Sequence, residues 1–129
     1  ALGYSKYTSR KVIVLDGDGS FLMHMGSMVN VGNLAKKNYK YILLNNNCHE
    51  SVGSQKTLIN SIDLRILSKS LGFKKYEEVK DISEIDKKIK KLINSKDKFF
   101  LNVITKTGSI KNLTRPKNFL EIKKKFVNS

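Results

Sequence analysis

The sequence predicts an α/β domain of three layers, in which a parallel sheet lies between helices on both of its faces. Residues 11–15, 39–44 and 99–104 are short apolar runs rich in β-branched or aromatic side chains, which is typical of buried strands. Segments with apolar residues three and four positions apart lie between them, as helices require. Strands that alternate with helices favour a parallel sheet, because each parallel pair needs a crossover that covers one face.

The other elements follow from the same periodicities and from residues that begin or end helices. Gly72 is a usual C-terminal signal, and Ser83 stands where it can cap the helix that follows it. One apolar stripe of that helix is expected to comprise Ile82, Ile85, Ile89, Leu92 and Ile93. A polar stretch over residues 105–114 and the pair Arg115-Pro116 precede the last helix. The predicted helices span residues 1–7, 20–37, 59–71, 85–94 and about 118–127, and a further strand spans residues 73–79.

The length and the net charge of the chain limit the class of protein to which it can belong. The chain has 129 residues, enough for one domain or part of one. Its 25 Lys and Arg against 11 Asp and Glu give a formal net charge of +14, a balance that raises nucleic acid as a partner. Only Arg10, Arg65 and Arg115 are arginines, however, and the lysines come in pairs such as Lys36-Lys37 on the outer faces of predicted helices. We therefore interpret the charge as solvated surface and do not expect nucleic acid as a partner.

Cysteine content and hydropathy favour a cytoplasmic protein. Cys48 is the single cysteine, so an internal disulfide is excluded. The sequence shows neither a signal-peptide pattern nor an apolar run of about 18 residues, the length that a membrane span needs. We therefore expect a reducing compartment and no membrane association.

The most informative feature is a pair of polar motifs at the ends of two predicted strands. Asp16-Gly17-Asp18-Gly19 follows the first strand, and Asn45-Asn46 follows the second. Parallel strands end at the same edge of a sheet, so a carboxylate and a carboxamide should meet there. The 25 positions from residue 20 to residue 44 suffice for one helix and one strand, which makes this segment a βαβ unit.

These residue types suit a magnesium ion that holds a diphosphate. Magnesium prefers six oxygen ligands, which a carboxylate, an amide oxygen, a main-chain carbonyl, a water and two diphosphate oxygens can supply. Main-chain amides around Gly19 and Ser20 would point into the crevice, and the glycines allow close approach. A dinucleotide site competes for the same glycines, but the run from Gly17 to Leu22 lacks the third glycine, and no Walker A lysine pattern occurs.

The two motifs resemble the cofactor motif of thiamine diphosphate-dependent enzymes, which reads Gly-Asp-Gly, then a spacer of this length, then Asn-Asn. The resemblance implies the thiamine diphosphate-binding fold, with thiamine diphosphate and Mg²⁺ as cofactors. It implies that Asp18, Asn46 and the main-chain oxygen of Cys48 bind the metal. The implied cofactor-binding residues are Gly17, Asp18, Gly19, Ser20, Asn46 and Cys48.

The loop after Asn46 narrows the resemblance. Residues 47–57, Asn-Cys-His-Glu-Ser-Val-Gly-Ser-Gln-Lys-Thr, are similar to the stretch Gly-Ala-His-Glu-Ser-Val-Gly-Gly-Gln-Pro-Thr of phosphonopyruvate decarboxylases. The departures include Asn47 and Ser54, each in place of Gly, where a larger residue can alter the backbone; the others are Cys48 for Ala and Lys56 for Pro. The resemblance implies decarboxylation of 3-phosphonopyruvate to phosphonoacetaldehyde and carbon dioxide, in phosphonate biosynthesis.

Three residues near the motifs carry candidate roles. His49 and Glu50 are candidate catalytic residues that bind substrate or move protons, since an imidazole titrates near neutrality. The alternative is that these two side chains only hold the loop. His24, on an otherwise apolar helix, is expected to serve packing or hydrogen bonding.

The resemblance also implies partners. In this family the glutamate that activates the cofactor lies in a separate pyrimidine-binding domain or subunit, and the active site forms between the two in a homo-oligomer or hetero-oligomer. We therefore expect residues 1–129 to be a C-terminal diphosphate domain that lacks its first segment and is inactive alone. Two alternatives stay open: a sulfopyruvate decarboxylase subunit, and a non-catalytic basic module that binds polyanions or a partner protein.

Overall fold

The computed structural model describes residues 1–108 and 117–128. The strands are β1 (Val12–Gly17), β2 (Tyr39–Asn45), β3 (Cys48–His49), β4 (Gln55–Lys56), β5 (Lys75–Val79) and β6 (Phe99–Ile104). The helices are α1 (Leu2–Tyr7), α2 (Asp18–Met23), α3 (Ser27–Leu34), α4 (Leu64–Ser70), α5 (Ile85–Asn94) and α6 (Phe119–Val127). Short 3₁₀ turns span Glu50–Val52, Ile59–Ser61 and Ile82–Glu84. Four strands form a parallel sheet in the order β1-β2-β6-β5, and β3 pairs with β4 in a small antiparallel hairpin.

Helices cover both faces of the parallel sheet, which confirms the predicted fold class. On the first face, α2, α3 and α4 pack on an aromatic core around Phe100, whose ring centroid lies 5.1 Å from that of Tyr41 and 5.5 Å from that of Phe73. On the second face, α5 packs Leu92 against Leu101 and its neighbours. Alternate residues of β2 and β6 enter the two cores, because successive side chains of a strand point to opposite faces.

The predicted strands are confirmed, with changes at their ends. β6 has the predicted bounds, and β2 extends one residue further, to Asn45. β1 does not stop at Leu15 as predicted, because Asp16 and Gly17 continue to pair with residues of β2. The fourth strand begins at Lys75 rather than at residue 73.

The helix predicted over residues 20–37 is two helices. α2 begins two residues earlier, at Asp18, and it ends where the N–H of His24 bonds to the carbonyl of Ser20 at 3.1 Å. The hydroxyl of Ser27 then donates to the carbonyl of His24 at 2.7 Å. Such side-chain bonds to the main chain compete with a continuous helix, which explains the break.

Two aspartates begin helical segments where the sequence predicted other starts. The segment predicted over residues 59–71 becomes an α-helix only after Asp63, whose side chain accepts a main-chain N–H at 2.9 Å as an N-cap. Ser83 is not a cap, since its own N–H bonds to the side chain of Asp81 at 2.9 Å inside a 3₁₀ turn. Ile82 is 85% exposed and so does not belong to the apolar stripe of α5.

Gly72 ends α4 as predicted, and it lies beside α3. Its φ of +86° is in the left-handed region, and the N–H groups of Gly72 and Phe73 bond back to the carbonyls of Lys69 and Ser68. A Cβ built on Gly32 of α3 would lie 1.5 Å from the carbonyl oxygen of Leu71. The backbones of α3 and α4 therefore meet at a point where only glycine fits.

The helices predicted near the two ends of the chain are confirmed as α1 and α6. α1 has no side-chain cap, and Asn118 caps α6 by accepting the N–H of Glu121 at 3.1 Å. Residues 109–114 of the predicted polar stretch and the pair Arg115-Pro116 lie outside the described residues. In the part of the chain that the structure describes, no helix has the length and hydropathy needed to cross a bilayer.

Lys40 is an exception to the prediction that the lysines form a solvated surface. Its side chain is fully buried, and its ammonium donates 3.0 Å hydrogen bonds to the carbonyls of Lys37 and Ser95 and a further bond to that of Asp97. Burial lowers the pKa of Lys40. The three carbonyls satisfy the buried charge and tie the start of β2 to the turn after α5.

We expect the substitution Gly32→Ala to destabilise the fold, because a methyl group has no room beside the Leu71 carbonyl. Overpacking of this kind costs about 1–3 kcal/mol or more in the free energy of unfolding, measured by urea denaturation. The matched control is Gly26→Ala, where a Cβ meets nothing within 4 Å. Equal stability of the two variants would contradict the contact between α3 and α4.

Candidate functional site

A cleft of about 540 Å³ lies at the carboxyl edge of the sheet, where β1, β2 and β6 end. Loops after all three strands contribute to its wall. All eight residues that the sequence predicted for the site line this cleft: Gly17, Asp18, Gly19, Ser20, Asn46, Cys48, His49 and Glu50. The predicted motifs therefore converge in space.

Asp18 is the buried acid of the cleft. It is 2% exposed, and its Oδ2 atom accepts a 2.5 Å hydrogen bond from the hydroxyl of Thr57. Within the described residues no donor contacts the other carboxylate oxygen, so one oxygen is available to a metal. A charged carboxylate at such a depth needs compensation by donors or cations, which a bound divalent ion would supply.

Asn46 lies in the loop after β2, and both the oxygen and the nitrogen of its side-chain amide form hydrogen bonds. Its Oδ1 atom accepts the N–H of Cys48 at 3.0 Å, and its Nδ2 atom donates to Glu50 at 2.9 Å. These bonds orient the amide oxygen beside the main chain of Cys48, and that oxygen keeps a second lone pair. An amide oxygen and a nearby main-chain carbonyl are thus held in one turn.

The loop after Asn46, for which the sequence predicted no helix or strand, contains the β3–β4 hairpin and a 3₁₀ turn. Cys48 pairs with Lys56, and His49 pairs with Gln55. Asn47 has a φ of 58° and Ser54 a φ of 61°, both in the left-handed region that favours glycine. The two positions where the chain departs from glycine therefore keep a glycine-like backbone, which asparagine adopts more readily than serine.

Glu50 connects two walls of the cleft. One carboxylate oxygen accepts the amide of Asn46, and the other accepts the N–H of Gly108 in the loop after β6. Glu50 therefore joins the loop after β2 to the loop after β6. Holding the loop is the role that the sequence left open as the alternative to catalysis. Sequence reasoning did not connect Glu50 with Gly108, because no local pattern marks a contact between residues 58 positions apart.

His49 lies directly on Gly19. A Cβ at Gly19 would be 2.4 Å from Nδ1 and 2.8 Å from Cε1 of the imidazole, so the ring fills the space that the missing side chain leaves. Among the described residues the ring has no hydrogen-bond partner. Gly17, by contrast, has no atom within 4 Å of its Cβ position and stays open to a ligand.

Asp16, the first acid of the Asp-Gly-Asp-Gly motif, has a structural role, because its side chain is bound within the protein. Its carboxylate accepts the hydroxyl of Tyr41 at 2.5 Å and the N–H of Gly17 at 3.0 Å. Burial, and then this bond to Asp16, raise the pKa of Tyr41, so the phenol stays protonated and keeps donating. Asp16 does not line the cleft, so only one of the two acids is placed for a metal.

His24 does not reach the cleft. It is exposed at the end of α2, where its Nδ1 atom lies 3.4 Å from the carbonyl oxygen of Ser20. This agrees with the expected structural role.

The donor set fits a hard cation that holds a diphosphate. In the described ranges, no three His, Cys, Asp or Glu side chains cluster as a metal site. The cleft offers instead one carboxylate with an unengaged oxygen, that of Asp18, together with one amide oxygen and one main-chain carbonyl, which suit Mg²⁺ and leave positions for ligand oxygens. The open space at Gly17 admits the ligand. α2 has only six residues, so its dipole adds little, and a cation must carry most of the attraction.

Comparisons with known proteins agree with this geometry. The family model for the C-terminal TPP binding domain of thiamine pyrophosphate enzymes matches residues 1–103. The chain is 31% identical over 116 residues to a phosphonopyruvate decarboxylase of Streptomyces viridochromogenes, which covers 90% of the chain and 29% of that protein. It is 42% identical over 72 residues to a sulfopyruvate decarboxylase subunit beta of Methanothermobacter thermautotrophicus, over 56% of the chain and 39% of that subunit.

A solved structure shows the same fold. It is that of a Mycobacterium smegmatis protein described as thiamin diphosphate-dependent, and it matches 81% of the chain and 20% of its own length with a TM-score of 0.62 and 18% identity. The chain thus spans less than a third of the phosphonopyruvate decarboxylase that it matches. By its match over residues 1–103, the chain belongs to the family of C-terminal thiamine pyrophosphate-binding domains of thiamine pyrophosphate enzymes.

Proposed function

We propose that this chain is the diphosphate-binding part of a thiamine diphosphate- and Mg²⁺-dependent 2-oxo acid decarboxylase that acts on 3-phosphonopyruvate. The observation that carries the proposal is the convergence of Asp18, Asn46 and Cys48 on one cleft. The products would be phosphonoacetaldehyde and carbon dioxide, in phosphonate biosynthesis in the cytoplasm. Similarity to phosphonopyruvate decarboxylases along most of the chain supports this substrate.

In this proposal Asp18, Asn46 and the main-chain oxygen of Cys48 hold the metal. Thr57 keeps the Asp18 carboxylate in place, and the amides of Gly19 and Ser20 and the open backbone at Gly17 receive the diphosphate. When bound, thiamine diphosphate supplies the electron sink that accepts the electron pair released as carbon dioxide leaves.

The roles of the two loop residues differ. Glu50 is a positioning residue, because both of its oxygens already hold Asn46 and Gly108. His49 has ring nitrogens without a protein partner in the described residues, so it can bind the substrate anion or hold a proton. A pyrimidine-binding domain or subunit would supply the glutamate that activates the cofactor, in a homo-oligomer or hetero-oligomer.

A second candidate substrate is sulfopyruvate. Sulfopyruvate decarboxylases or their beta subunits share with this chain 42% identity over 72 residues, 34% over 94 residues and 30% over 126 residues. Phosphonate and sulfonate share a tetrahedral shape and differ in charge, since a phosphonate can lose a second proton and a sulfonate cannot. Turnover of each acid by the chain assembled with a pyrimidine-binding partner separates the two candidates.

We expect Asp18→Asn to weaken Mg²⁺-dependent binding of thiamine diphosphate by more than about 100-fold, because it removes the only carboxylate ligand while the amide oxygen still accepts from Thr57. Titration calorimetry with Mg²⁺ and with a chelator measures the effect in the assembled protein. The matched control is Asp86→Asn, at an exposed acid in the first turn of α5 that does not line the cleft, which should leave binding unchanged. Equal affinity of the Asp18 variant and the wild type would contradict the ligand assignment.

We expect Glu50→Gln to lower the affinity for Mg²⁺ and cofactor by about 10- to 100-fold, the usual effect of removing a group that orients a metal ligand. One of its two acceptor oxygens becomes an amide donor that faces the donor of Asn46 or Gly108. Excess Mg²⁺ should restore turnover, as a positioning role requires. A fall in turnover at saturating Mg²⁺ and cofactor would instead favour a catalytic role.

We expect His49→Ala to slow turnover more than it weakens cofactor binding. The loss should be about 10²- to 10⁴-fold if the imidazole transfers a proton. The measurement is steady-state kinetics with both 3-phosphonopyruvate and sulfopyruvate, together with calorimetric cofactor binding. Unchanged kinetics would assign His49 to packing on Gly19 alone.

A further inference from the structure

A second group of clefts lies at the opposite, amino edge of the sheet, where β2, β5 and β6 begin. Two adjoining clefts of about 760 and 710 Å³ share Gly72, Lys74 and Asp97. We call their combined surface the amino-edge cleft. Each is larger than the cleft at the carboxyl edge, and each has the size of a small-molecule site.

The amino-edge cleft concentrates positive charge. Its first part carries Lys36, Lys37, Lys74 and Lys98. Its second part adds Arg65, Lys69 and Lys75. Asp97 is the single acid among the residues that line either part. The ratio of seven cations to one carboxylate here exceeds the ratio of 25 to 11 in the whole chain.

Among the described residues, none of these cations forms an ion pair with a carboxylate. In the described ranges, the lysines in ion pairs are Lys80, Lys88, Lys91 and Lys125, all elsewhere on the molecule. Lys98 donates instead to the carbonyl of Gly32 near the end of α3, which offsets the negative end of that helix. Burial, and then the neighbouring charge of Lys74, lower the pKa of Lys98. The lysines repel one another, and a bound anion would relieve that repulsion.

We propose that the amino-edge cleft binds a small anion that carries two or more phosphoryl groups. Cations line both parts of the cleft, so a ligand with several charged groups can contact more of them than a single carboxylate can. Lysines act as point charges that suit phosphate oxygens without demanding a planar, bidentate partner. The cleft is concave and holds one arginine, whereas nucleic acid is bound along extended basic surfaces rich in arginine. This site is separate from the proposed cofactor cleft and does not depend on it.

The probe is inorganic tripolyphosphate, titrated into the full chain in the presence of EDTA at about 0.15 M salt, where diffuse surface attraction is screened. We expect saturable binding with one ligand per chain. The exposed pair Lys36→Gln and Lys74→Gln, combined in one variant, should weaken it at least about tenfold, since two of the charges that face the anion are lost. The control is Lys87→Gln with Lys90→Gln, two exposed lysines of α5 outside the cleft, which should bind like the wild type.

Asp18→Asn separates this proposal from the function of the carboxyl edge, because it should leave tripolyphosphate binding unchanged in EDTA. Binding that fails to saturate, or that falls equally in the α5 control, would show diffuse charge and overturn the proposal. Tighter binding in the Asp18 variant, which without metal has lost a carboxylate that repels the anion, would place the anion in the cofactor cleft and also overturn it. Tighter binding of a single-stranded RNA of equal charge, lost in the same Lys36 and Lys74 variant, would replace the small anion by nucleic acid.

Discussion

The parallel pairing of β1 with β2 is the constraint on which the site depends. Gly17 pairs with Leu44, so the two strands end together and their following residues enter the same cleft. Pairing fixes this register over six residues, and the aromatic core beneath it resists a slip, because a shift by one residue would turn every buried side chain outward. Asp18 and Asn46 owe their proximity to that register rather than to any direct contact.

Much of the fold and of the site could be predicted from the sequence. The strands follow from short apolar runs, and β6 has the predicted bounds because buried strands read as continuous hydrophobic segments. The residues of the cleft could be predicted because each motif sits directly at a strand end. The break between α2 and α3 could not, since it depends on how one serine hydroxyl competes with the helix.

Contacts between residues that are distant in sequence could not be predicted either. Thr57 holds Asp18 across 39 residues, and Glu50 holds Gly108 across 58. No periodicity or local motif encodes such pairs, since tertiary packing decides them. Lys40 was assigned to the surface for the same reason, because the three carbonyls that satisfy its charge come from two separate turns.

The two edges of the sheet offer different chemistry for anions. In the proposed function, an acid, an amide and a main-chain carbonyl at the carboxyl edge hold a divalent cation between protein and diphosphate, so binding there would depend on metal. At the amino edge lysines face the solvent directly, so an anion needs no metal. Under the two proposals, the domain would therefore hold two phosphate ligands that do not compete with each other.

In the proposed site one divalent ion binds Asp18, Asn46 and the main-chain oxygen of Cys48 together. A crystal structure with thiamine diphosphate and Mn²⁺ in place of Mg²⁺ locates the ion by its anomalous scattering. We expect one peak within about 2.0–2.3 Å of these three oxygens and of two diphosphate oxygens. An ion bound by any other set of residues, or a diphosphate held without a metal, would contradict it.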